Sequence, residues 1–304
     1  MDVLLDNVDR SPALDDKGAR GATLIPDQRR EMIVRQLRMH QVLSVHQLTE
    51  LLGCSHMTVR RDVAALEEAG RVYAIPGGVR IASHLVTEPS HQAKSVTERP
   101  QKQGIAAHVA RLLKPGMTVY LDAGTTMACL VPHIVRLADM TVITNDFHIA
   151  LTLADSPHVT VVHTGGVLDH SNGSSIGPLA AATLRRLVVD IAFLSASSWD
   201  LERGVTTPAA PKIEVKRAAM EIASQRVLVA TSAKYGTYGT YRVAALDEFD
   251  VVVTDNGLSD AAVLRMRETG LDLDVALIEP DTPLQFPNAA MRDAQGGPEQ
   301  PRQS

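Results

Sequence analysis

Regular hydrophobic patterning begins at about residue 26 and follows helical spacing over residues 26–80. Ile33 and Leu37 lie four residues apart in a first segment that starts near Asp27, and a second segment starts at Ser44. The apolar face of the second segment is formed by Val45, Leu48, Leu51 and Leu52. Because residues three and four apart share one side of a helix, the pattern predicts two short amphipathic helices.

The residues at the helix ends predict how these helices are joined. Ser44 and Gln47 have the S-x-x-Q spacing of a capping box, in which each side chain satisfies a backbone N–H of the other residue. Gly53 allows a tight turn, and Ser55 is a good N-cap for a third helix that runs to about Ala69. Two helices joined by a glycine-containing turn are typical of a helix-turn-helix.

A second region, residues 102–282, alternates short β-branched runs with amphipathic stretches. The predicted strands are Val119–Leu121, Thr141–Thr144, Val159–Val162, Ile191–Leu194, Val227–Ala230, Val251–Thr254 and Val275–Ile278. The predicted helices are Ile105–Leu113, Pro178–Leu187, Ile213–Ala223 and Asp260–Glu268. This alternation indicates an α/β domain with a mainly parallel sheet covered on both faces.

The polar stretches predict the domain organisation. Residues 1–25 and 283–304 lack sustained apolar periodicity and have compositions typical of disordered ends. Residues 83–101 are also polar and predict an interdomain linker. The expected domains are therefore a helical domain over 26–82 and an α/β domain over 102–282.

The charge of the chain is unevenly distributed. The 304 residues have a formal net charge of −5, yet residues 26–80 carry eight basic and six acidic side chains, with arginine doublets at 29–30 and 60–61. A locally basic segment is compatible with nucleic-acid binding. No apolar run approaches the roughly 18 residues of a membrane span, and the acidic N-terminus differs from a signal peptide. We therefore expect a cytoplasmic protein.

The third helix has the composition of a DNA-contacting surface. With Val59 at the centre of its inner face, Met57 and Arg61 lie on the opposite side, flanked by Thr58 and Arg60. Arginine binds guanine or phosphate, and threonine or methionine methyl groups pack against thymine. Two arginines alone are more often a solvated surface, so it is the preceding helix-turn-helix that favours contact with the major groove.

A strand-to-helix turn in the second region has the chemistry of an anion site. The sequence DAGTTM (122–127) supplies small residues, hydroxyls and backbone N–H groups beside a helix N-terminus. Other polar residues follow neighbouring strands or lie on later helices, and such loops converge on one crevice in a parallel sheet. These further candidates are Asn145, Asp146, Gly166, Ser174, Lys216, Arg217 and Lys234. The cations suit a phosphate group, although each alone is more often a surface charge.

Other chemistries have less support from the sequence. The 11 histidines and two cysteines have no metal-binding spacing, so we expect neither a metal nor a cofactor. An isomerase-like enzyme with an accessory DNA-binding head is the alternative, with Asp122, Asp146 or Glu214 as a possible base. Fusion to a helix-turn-helix favours ligand sensing without turnover.

The segment SVHQLTELLGCSHMTVRRDVAALEEAGRVYAIPGGVRI (44–81) closely resembles the N-terminal winged helix-turn-helix of DeoR/GlpR-type bacterial transcriptional regulators. The resemblance implies that Gly77 and Gly78 end a β-wing. It also implies a recognition helix that includes Ser55, His56, Met57, Thr58, Arg60 and Arg61. The wing departs from the family pattern, because the positions usually basic or histidine are here Tyr73, Ala74, Ile75 and Pro76. We therefore expect weaker and more salt-sensitive DNA binding or a different spacer preference.

Successive motifs over about 100–256 resemble the C-terminal sensor domain of the same regulators, which is similar to sugar-phosphate isomerases. The motifs are DAGTT, TND, GG, AFLSAS, GVTT, EVKR and SAKYG. The resemblance implies that a phosphorylated sugar is held by Asp122, Gly124, Thr125, Thr126, Lys216 and Lys234. Thr231 stands where the family usually has an aspartate, which leaves the identity of the effector open.

These patterns together predict a ligand-responsive transcriptional regulator that binds operator DNA. A homo-oligomer, dimer or tetramer, is expected because one weakly basic winged domain supplies little specific affinity. The resemblance implies a repressor of a carbohydrate or related catabolic operon that is relieved by a phosphorylated sugar-like effector. Inducer, corepressor and activator logic are equally compatible with the residues themselves.

Overall fold

A computed structural model describes residues 24–278, which divide into two compact units with the boundary between Ala82 and Ser83. The ends predicted to be disordered, 1–25 and 283–304, lie outside the described residues apart from Leu24 and Ile25. Each unit has its own set of helices and strands and is described by itself below.

The N-terminal unit combines three helices with a small antiparallel sheet. The helices are α1 (Pro26–His40), α2 (Val45–Leu52) and α3 (His56–Glu68). The strands are β1 (Val42–Ser44), β2 (Val72–Ile75) and β3 (Gly78–Ile81), in the order β1-β3-β2. One apolar core joins all six elements, and its buried residues include Ile33, Leu37, Leu48, Val59, Leu66 and Val79. The predicted helix-turn-helix is confirmed.

The helix ends have the predicted caps. Ser44 Oγ accepts a hydrogen bond from Gln47 N at 3.1 Å, and Ser44 N donates to Gln47 Oε1 at 2.8 Å, which completes the capping box. Gly53 has a left-handed φ of 60°, and Ser55 Oγ accepts from Thr58 N at 3.3 Å at the start of α3. Local polar contacts thus fix the angle at which the chain enters α3.

The two glycines of the predicted wing have different structural roles. Gly77 lies in the turn between β2 and β3 with a φ of 78°, so both glycines are at the tip of the hairpin and not at its end. Gly78 is buried at the start of β3, and a Cβ there would lie 2.7 Å from the backbone oxygen of Leu43. Gly78 is therefore required for the close approach of β1.

The C-terminal unit is built around a seven-stranded parallel sheet in the order β17-β16-β13-β10-β5-β6-β7. These strands are β5 (Thr118–Leu121), β6 (Thr141–Thr144), β7 (Thr160–His163), β10 (Val189–Ser195), β13 (Ala223–Val229), β16 (Val251–Asp255) and β17 (Leu273–Ala276). The helices are α4 (His91–Val96), α5 (Arg99–Val109), α6 (Thr125–Ala128), α7 (Val131–Ile134), α8 (Phe147–Ala154), α9 (Pro178–Leu184), α10 (Pro211–Glu221) and α11 (Asp260–Glu268).

The predicted α/β class is confirmed, because all seven expected strands are present and all are parallel. Short strands outside the main sheet were not predicted, since two to four residues show no clear periodicity. They are β4 (Ser83–His84), β8 (Val167–Asp169), β9 (Ser174–Ile176), β11 (Ser198–Asp200), β12 (Gly204–Thr207), β14 (Thr237–Tyr238) and β15 (Tyr241–Ala244). Ser174, expected in a loop, thus begins a strand of the β8–β9 hairpin.

The stretch predicted as a linker, 83–101, is an ordered part of the C-terminal unit. Its strand β4 pairs with β14, and it contains α4 and the first turn of α5. Glu88 and Lys94 from this stretch form ion pairs inside the unit. The polar composition that suggested a linker is explained by polar packing, because these charged side chains face inward.

Candidate functional site

The exposed surface of α3 is cationic and carries the residues expected to contact DNA. Val59, Val63 and Leu66 point into the core, whereas Arg60 and Arg61 are exposed and form no ion pair with any residue between 24 and 278. Ser55 and His56 are also exposed, Thr58 is half-buried, and Met57 is 68% exposed. The two guanidinium groups are therefore free to reach base edges or phosphates.

An acidic residue on the same helix is neutralised from α1. Asp62 is buried, and its carboxylate accepts from Arg29 Nε at 2.7 Å and from Arg29 Nη2 at 3.3 Å. Arg30 Nε lies 3.6 Å from Asp62 Oδ1, the oxygen that Arg29 Nη2 also binds. Two of the eight basic side chains of 26–80 thus have a structural function, since the first arginine doublet compensates Asp62.

The wing offers little charge to a DNA backbone. Tyr73 is buried, and the exposed residues at the tip are Pro76 and Gly77. Gly78, which the resemblance places in the DNA-binding wing, is buried and packs against Leu43. Of the two elements expected to contact DNA, the β2–β3 wing and α3, helix α3 therefore carries most of the exposed positive charge.

A polar cleft lies where three neighbouring parallel strands end. Asp122 follows β5, Asn145 follows β6, and Ser195 ends β10, and β5 lies between β6 and β10 in the sheet. Helix α10 adds Lys212 and Lys216 to the same cleft. The complete lining consists of Glu88, Asp122, Ala123, Asn145, Asn172, Ser174, Ile176, Ser195, Ser197, Lys212, Val215 and Lys216.

A buried ion pair forms the floor of the cleft. Asp122 and Lys216 are 2% and 5% exposed, and Lys216 Nζ donates to Asp122 Oδ2. Lys216 Nζ also donates to the backbone oxygen of Ser195 at 2.6 Å, while Ser195 N and Oγ donate to Asp122 Oδ2 at 2.9 and 2.7 Å. Burial strengthens such a network and makes the loss of any member costly.

A second charged cluster forms the rim. Glu88 Oε1 accepts from Lys94 Nζ at 2.5 Å, and Glu88 Oε2 accepts from Lys212 Nζ at 2.5 Å. Asp169 Oδ2 lies 3.3 Å from Lys212 Nζ, and Lys94 Nζ donates to Asn172 Oδ1. Burial would raise the pKa of Glu88, but the charges and hydrogen bonds of Lys212 and Lys94 hold it well below its usual range.

The DAGTT turn is held by side chains of the next loop. Ala123 N donates to Asn145 Oδ1 at 3.0 Å, and Gly124 N donates to Asp146 Oδ2 at 3.0 Å. Asp146 also caps α8 through His148 N and Ile149 N. These two amides, which were expected to bind an anion, thus have protein partners, and Asn145 and Asp146 position the turn.

The structure brings only part of the predicted ligand set to the cleft. Asp122, Asn145, Ser174 and Lys216 line it. The remaining predicted residues lie outside the lining: Gly124, Thr125, Thr126, Asp146, Gly166, Arg217 and Lys234. Arg217 forms an ion pair with Glu248 at 2.6 Å. Gly166 is exposed and packs against Ala180, at 3.1 Å from where its Cβ would lie.

Several lining residues were not predicted. They are Glu88, Asn172, Ser195, Ser197 and Lys212. Lys212 lies one helical turn before Lys216, and this i, i+4 spacing is the sequence signal that points to it. Glu88 lies in the supposed linker, where a single glutamate in polar sequence gives no indication of burial.

Lys234 lies beside the cleft without a carboxylate partner among the described residues. Its Nζ donates to the backbone oxygen of Ala196 at 2.7 Å, and Ala196 lies between the lining residues Ser195 and Ser197. Burial lowers the pKa of Lys234 to about 8. Thr231, which stands where the family usually has an aspartate, is buried, and its Oγ1 donates to Glu98 Oε2 at 2.8 Å. A carboxylate from another segment therefore lies beside this position.

Residues 24–278 contain no group of three or more histidine, cysteine, aspartate or glutamate side chains placed to hold a metal ion. Within the same residues, no helix is both long and apolar enough to cross a membrane.

A helix-turn-helix with a free cationic recognition helix, followed by an α/β unit with a polar cleft, defines a DNA-binding regulator with a sensor domain. Residues 29–84 match the DeoR-like helix-turn-helix domain, and residues 97–256 match the DeoR C terminal sensor domain. The chain belongs to the DeoR family of transcriptional regulators.

Named transcriptional regulators are similar to the chain over most of their length. The chain is 42% identical to the HTH-type transcriptional regulator YgbI of Escherichia coli K12 over 83% of this chain and 99% of that protein. It is 33% identical to the transcriptional repressor AccR of Agrobacterium fabrum over 75% of this chain and 89% of that protein. A solved ribose 5-phosphate isomerase A from Methanocaldococcus jannaschii is similar over 44% of this chain and 53% of that one, with 17% identity and a TM-score of 0.33. The full-length relatives are regulators, so the protein is a regulator and the enzyme alternative is not favoured.

Proposed function

We propose that this regulator represses a carbohydrate or related catabolic operon and is relieved by a phosphorylated sugar-like metabolite that binds in the cleft of the C-terminal unit. The observation that carries the effector proposal is the convergence of Lys212, Lys216 and neighbouring hydroxyl and amide side chains at the carboxyl ends of β5, β6 and β10. Ammonium groups bind a phosphate, and serine and asparagine side chains bind sugar hydroxyls.

The DNA-binding part of the proposal rests on α3. We assign base or phosphate contacts to Arg60 and Arg61 and shorter-range contacts to Met57 and Thr58. A homo-oligomer that places two such helices on two half-sites supplies the affinity that one helix lacks. The similar protein AccR is named a transcriptional repressor, and we propose repression for this regulator as well. Because chromosomal DNA lies in the cytoplasm, the proposal includes a cytoplasmic location.

Effector control requires that the ligand distinguish two arrangements of the protein. The affinity for DNA changes only by the ratio of the ligand's affinities for the DNA-binding and the released arrangement. A compound that binds the cleft equally well in both therefore leaves repression unchanged.

The direct test is fluorescence anisotropy of the full chain on DNA from upstream of its own gene and the neighbouring operon. We expect specific binding relative to scrambled DNA at fixed salt, and a rise in the dissociation constant of about tenfold or more with one phosphorylated sugar of a panel. Specific binding that no phosphorylated compound shifts would contradict the effector class. Consumption of the sugar phosphate without specific DNA binding would contradict the regulator itself.

Lys234 gives a pH test of the same proposal. Its ammonium group is charged below a pKa of about 8 and neutral above it. The attraction between this group and a bound phosphate is therefore fully present at pH 7 and lost as the pH rises to 9. We expect effector affinity, measured by calorimetry, to fall across this range in the native protein and to depend much less on pH in Lys234→Gln.

The control for this test is Lys114→Gln, which changes an exposed lysine of the same unit. Its pH profile should match that of the native protein. A Lys234→Gln profile that also matches the native one would remove Lys234 from the effector site.

A further inference from the structure

Residues 83–98, here called the connecting segment, begin where the N-terminal unit ends. None of these sixteen residues, all described by the structure, is buried, and Val86 and Val96 are 73% and 76% exposed. The half-buried positions of its second half are Glu88, His91, Lys94 and Glu98. Polar contacts, and not an apolar core, therefore hold this segment on the C-terminal unit.

Glu88 contacts Lys212 in the proposed effector cleft. Its side chain is 14% exposed, and its two oxygens each accept from a different lysine at 2.5 Å. Lys212 comes from α10, one turn before Lys216, whereas Lys94 comes from α4 of the connecting segment. A carboxylate held between two ammonium groups occupies the position that the anionic group of a ligand would take.

The segment has further attachments, and those of its second half include charged groups. Lys102 Nζ donates to the backbone oxygens of Lys94 and Thr97, Lys94 Nζ donates to Asn172 Oδ1, and Glu98 Oε2 accepts from Thr231 Oγ1. Before α4 the attachments are Leu85 N donating to Tyr238 O at 2.7 Å, the pairing of β4 with β14 over two residues, and the ion pair of Glu88 with Lys212. A hydrogen bond between neutral groups makes a modest net contribution to stability, whereas one to a charged group contributes more. Displacement of the Glu88 carboxylate from Lys212 would thus remove the ionic attachment of the part of the segment before α4.

We propose that Glu88 is a tethered occupant of the anion site at Lys212, and that an anionic effector binds Lys212 by displacing Glu88 and thereby releases the part of the connecting segment before α4. This inference rests on the proposed function, because it places the effector in the same cleft. The segment continues directly into the DNA-binding unit at Ala82. Competition for Lys212 thereby links occupancy of the cleft to the chain that carries the recognition helix.

The net charge of the cleft supports displacement over simple addition. Lys94, Lys212 and Lys216 are matched by the three carboxylates Glu88, Asp122 and Asp169. Each ammonium group of this set already has a carboxylate partner, and Lys234, which has none among the described residues, lies outside the lining, so an added anion reaches Lys212 only by displacing a carboxylate. Asp122 is held by Ser195 and Lys216 on the floor, so Glu88, on a segment without buried residues, is the carboxylate that can leave.

The test uses Glu88→Gln in the full chain with inorganic phosphate as the probe. We expect calorimetry to give a phosphate dissociation constant about tenfold lower than in the native protein, because a neutral amide competes less for the lysines. Hydrogen exchange of the peptide that spans 85–95 should be faster in the variant without phosphate than in the native protein. Glu202→Gln, which removes one negative charge at an exposed position of the same unit, should change neither quantity.

A second measurement needs no variant. In the native protein, phosphate should speed exchange over 85–95 while it slows or leaves unchanged exchange in α10. Unchanged affinity in Glu88→Gln, or greater protection of 85–95 with phosphate, would overturn the displacement inference and leave the proposed effector cleft intact. Absence of phosphate binding by both proteins would overturn the cleft assignment and this inference with it.

Discussion

Replacing both Arg60 and Arg61 by alanine should abolish specific operator binding while effector binding stays at its native level. Each guanidinium that contacts a base edge contributes about 1–3 kcal/mol of discrimination, so the double variant should bind its operator on the order of 100-fold more weakly or worse. The physical reason is that both side chains are exposed on α3 and have no ion-pair partner among residues 24–278. Anisotropy on operator and scrambled DNA measures the loss.

The single variants separate base contacts from phosphate contacts. Loss of a base contact lowers affinity for the operator more than for scrambled DNA, whereas loss of a phosphate contact lowers both and reduces the salt slope by about 1. Arg136→Ala is the matched control, since Arg136 is an exposed arginine of the C-terminal unit. Full specific binding by the double variant would show that α3 is not the recognition helix.

Lys216→Met should destabilise the C-terminal unit by about 3–5 kcal/mol and remove the response to effector. Asp122 is 2% exposed, and without Lys216 its buried charge would keep, among residues 24–278, Ser195 and Tyr120 as hydrogen-bond partners. Trp199 is the single tryptophan of the chain and is fully buried in this unit, so its fluorescence during urea denaturation reports the unfolding of the C-terminal unit.

The double variant Asp122→Asn/Lys216→Met tests this explanation. Neutralising both partners removes the uncompensated charge, so the double variant should be more stable than Lys216→Met alone. The DNA affinity of the double variant should still not change with effector, because the ammonium group of Lys216 is absent. Lys114→Met, an exposed replacement of the same type, should stay within about 0.5 kcal/mol of the native protein. Equal stability of Lys216→Met and Lys114→Met would contradict a structural role for the ion pair.

The main sheet was predictable because its strands are buried on both faces. A parallel strand covered by helices is a continuous β-branched run, and such runs stand out against the amphipathic helices between them. Strands β8, β9 and β11 carry no such run, and the three β-branched residues of β12, Val205–Thr207, pair with the short strands β11 and β15 outside the main sheet. Residues 83–101 were misassigned for a related reason: their inward contacts are ionic, and polar composition alone does not distinguish a solvated charge from one held in an ion pair.

The candidate site was predictable where a residue directly follows a strand. Asp122 and Asn145 end neighbouring strands, and sheet topology alone brings them together. Lys216 was predicted from its motif, whereas Lys212 was missed. Tertiary packing determines which face of α10 is buried, and the sequence of the helix does not show it. The DAGTT amides were expected to be free, but the side chains of Asn145 and Asp146 bind two of them. A pattern of donors in sequence does not reveal which donors already have partners.

The pairing of Arg29 with Asp62 limits how the specificity of this regulator can be transplanted. A chimaera that received only the residues of α3 on a foreign scaffold would bury the Asp62 carboxylate without its counter-charge and lose stability. The graft has to include α1 with Arg29, or exchange Asp62 for a neutral residue. The unit that can be transferred to another scaffold is thus the pair of helices α1 and α3, and not the recognition helix alone.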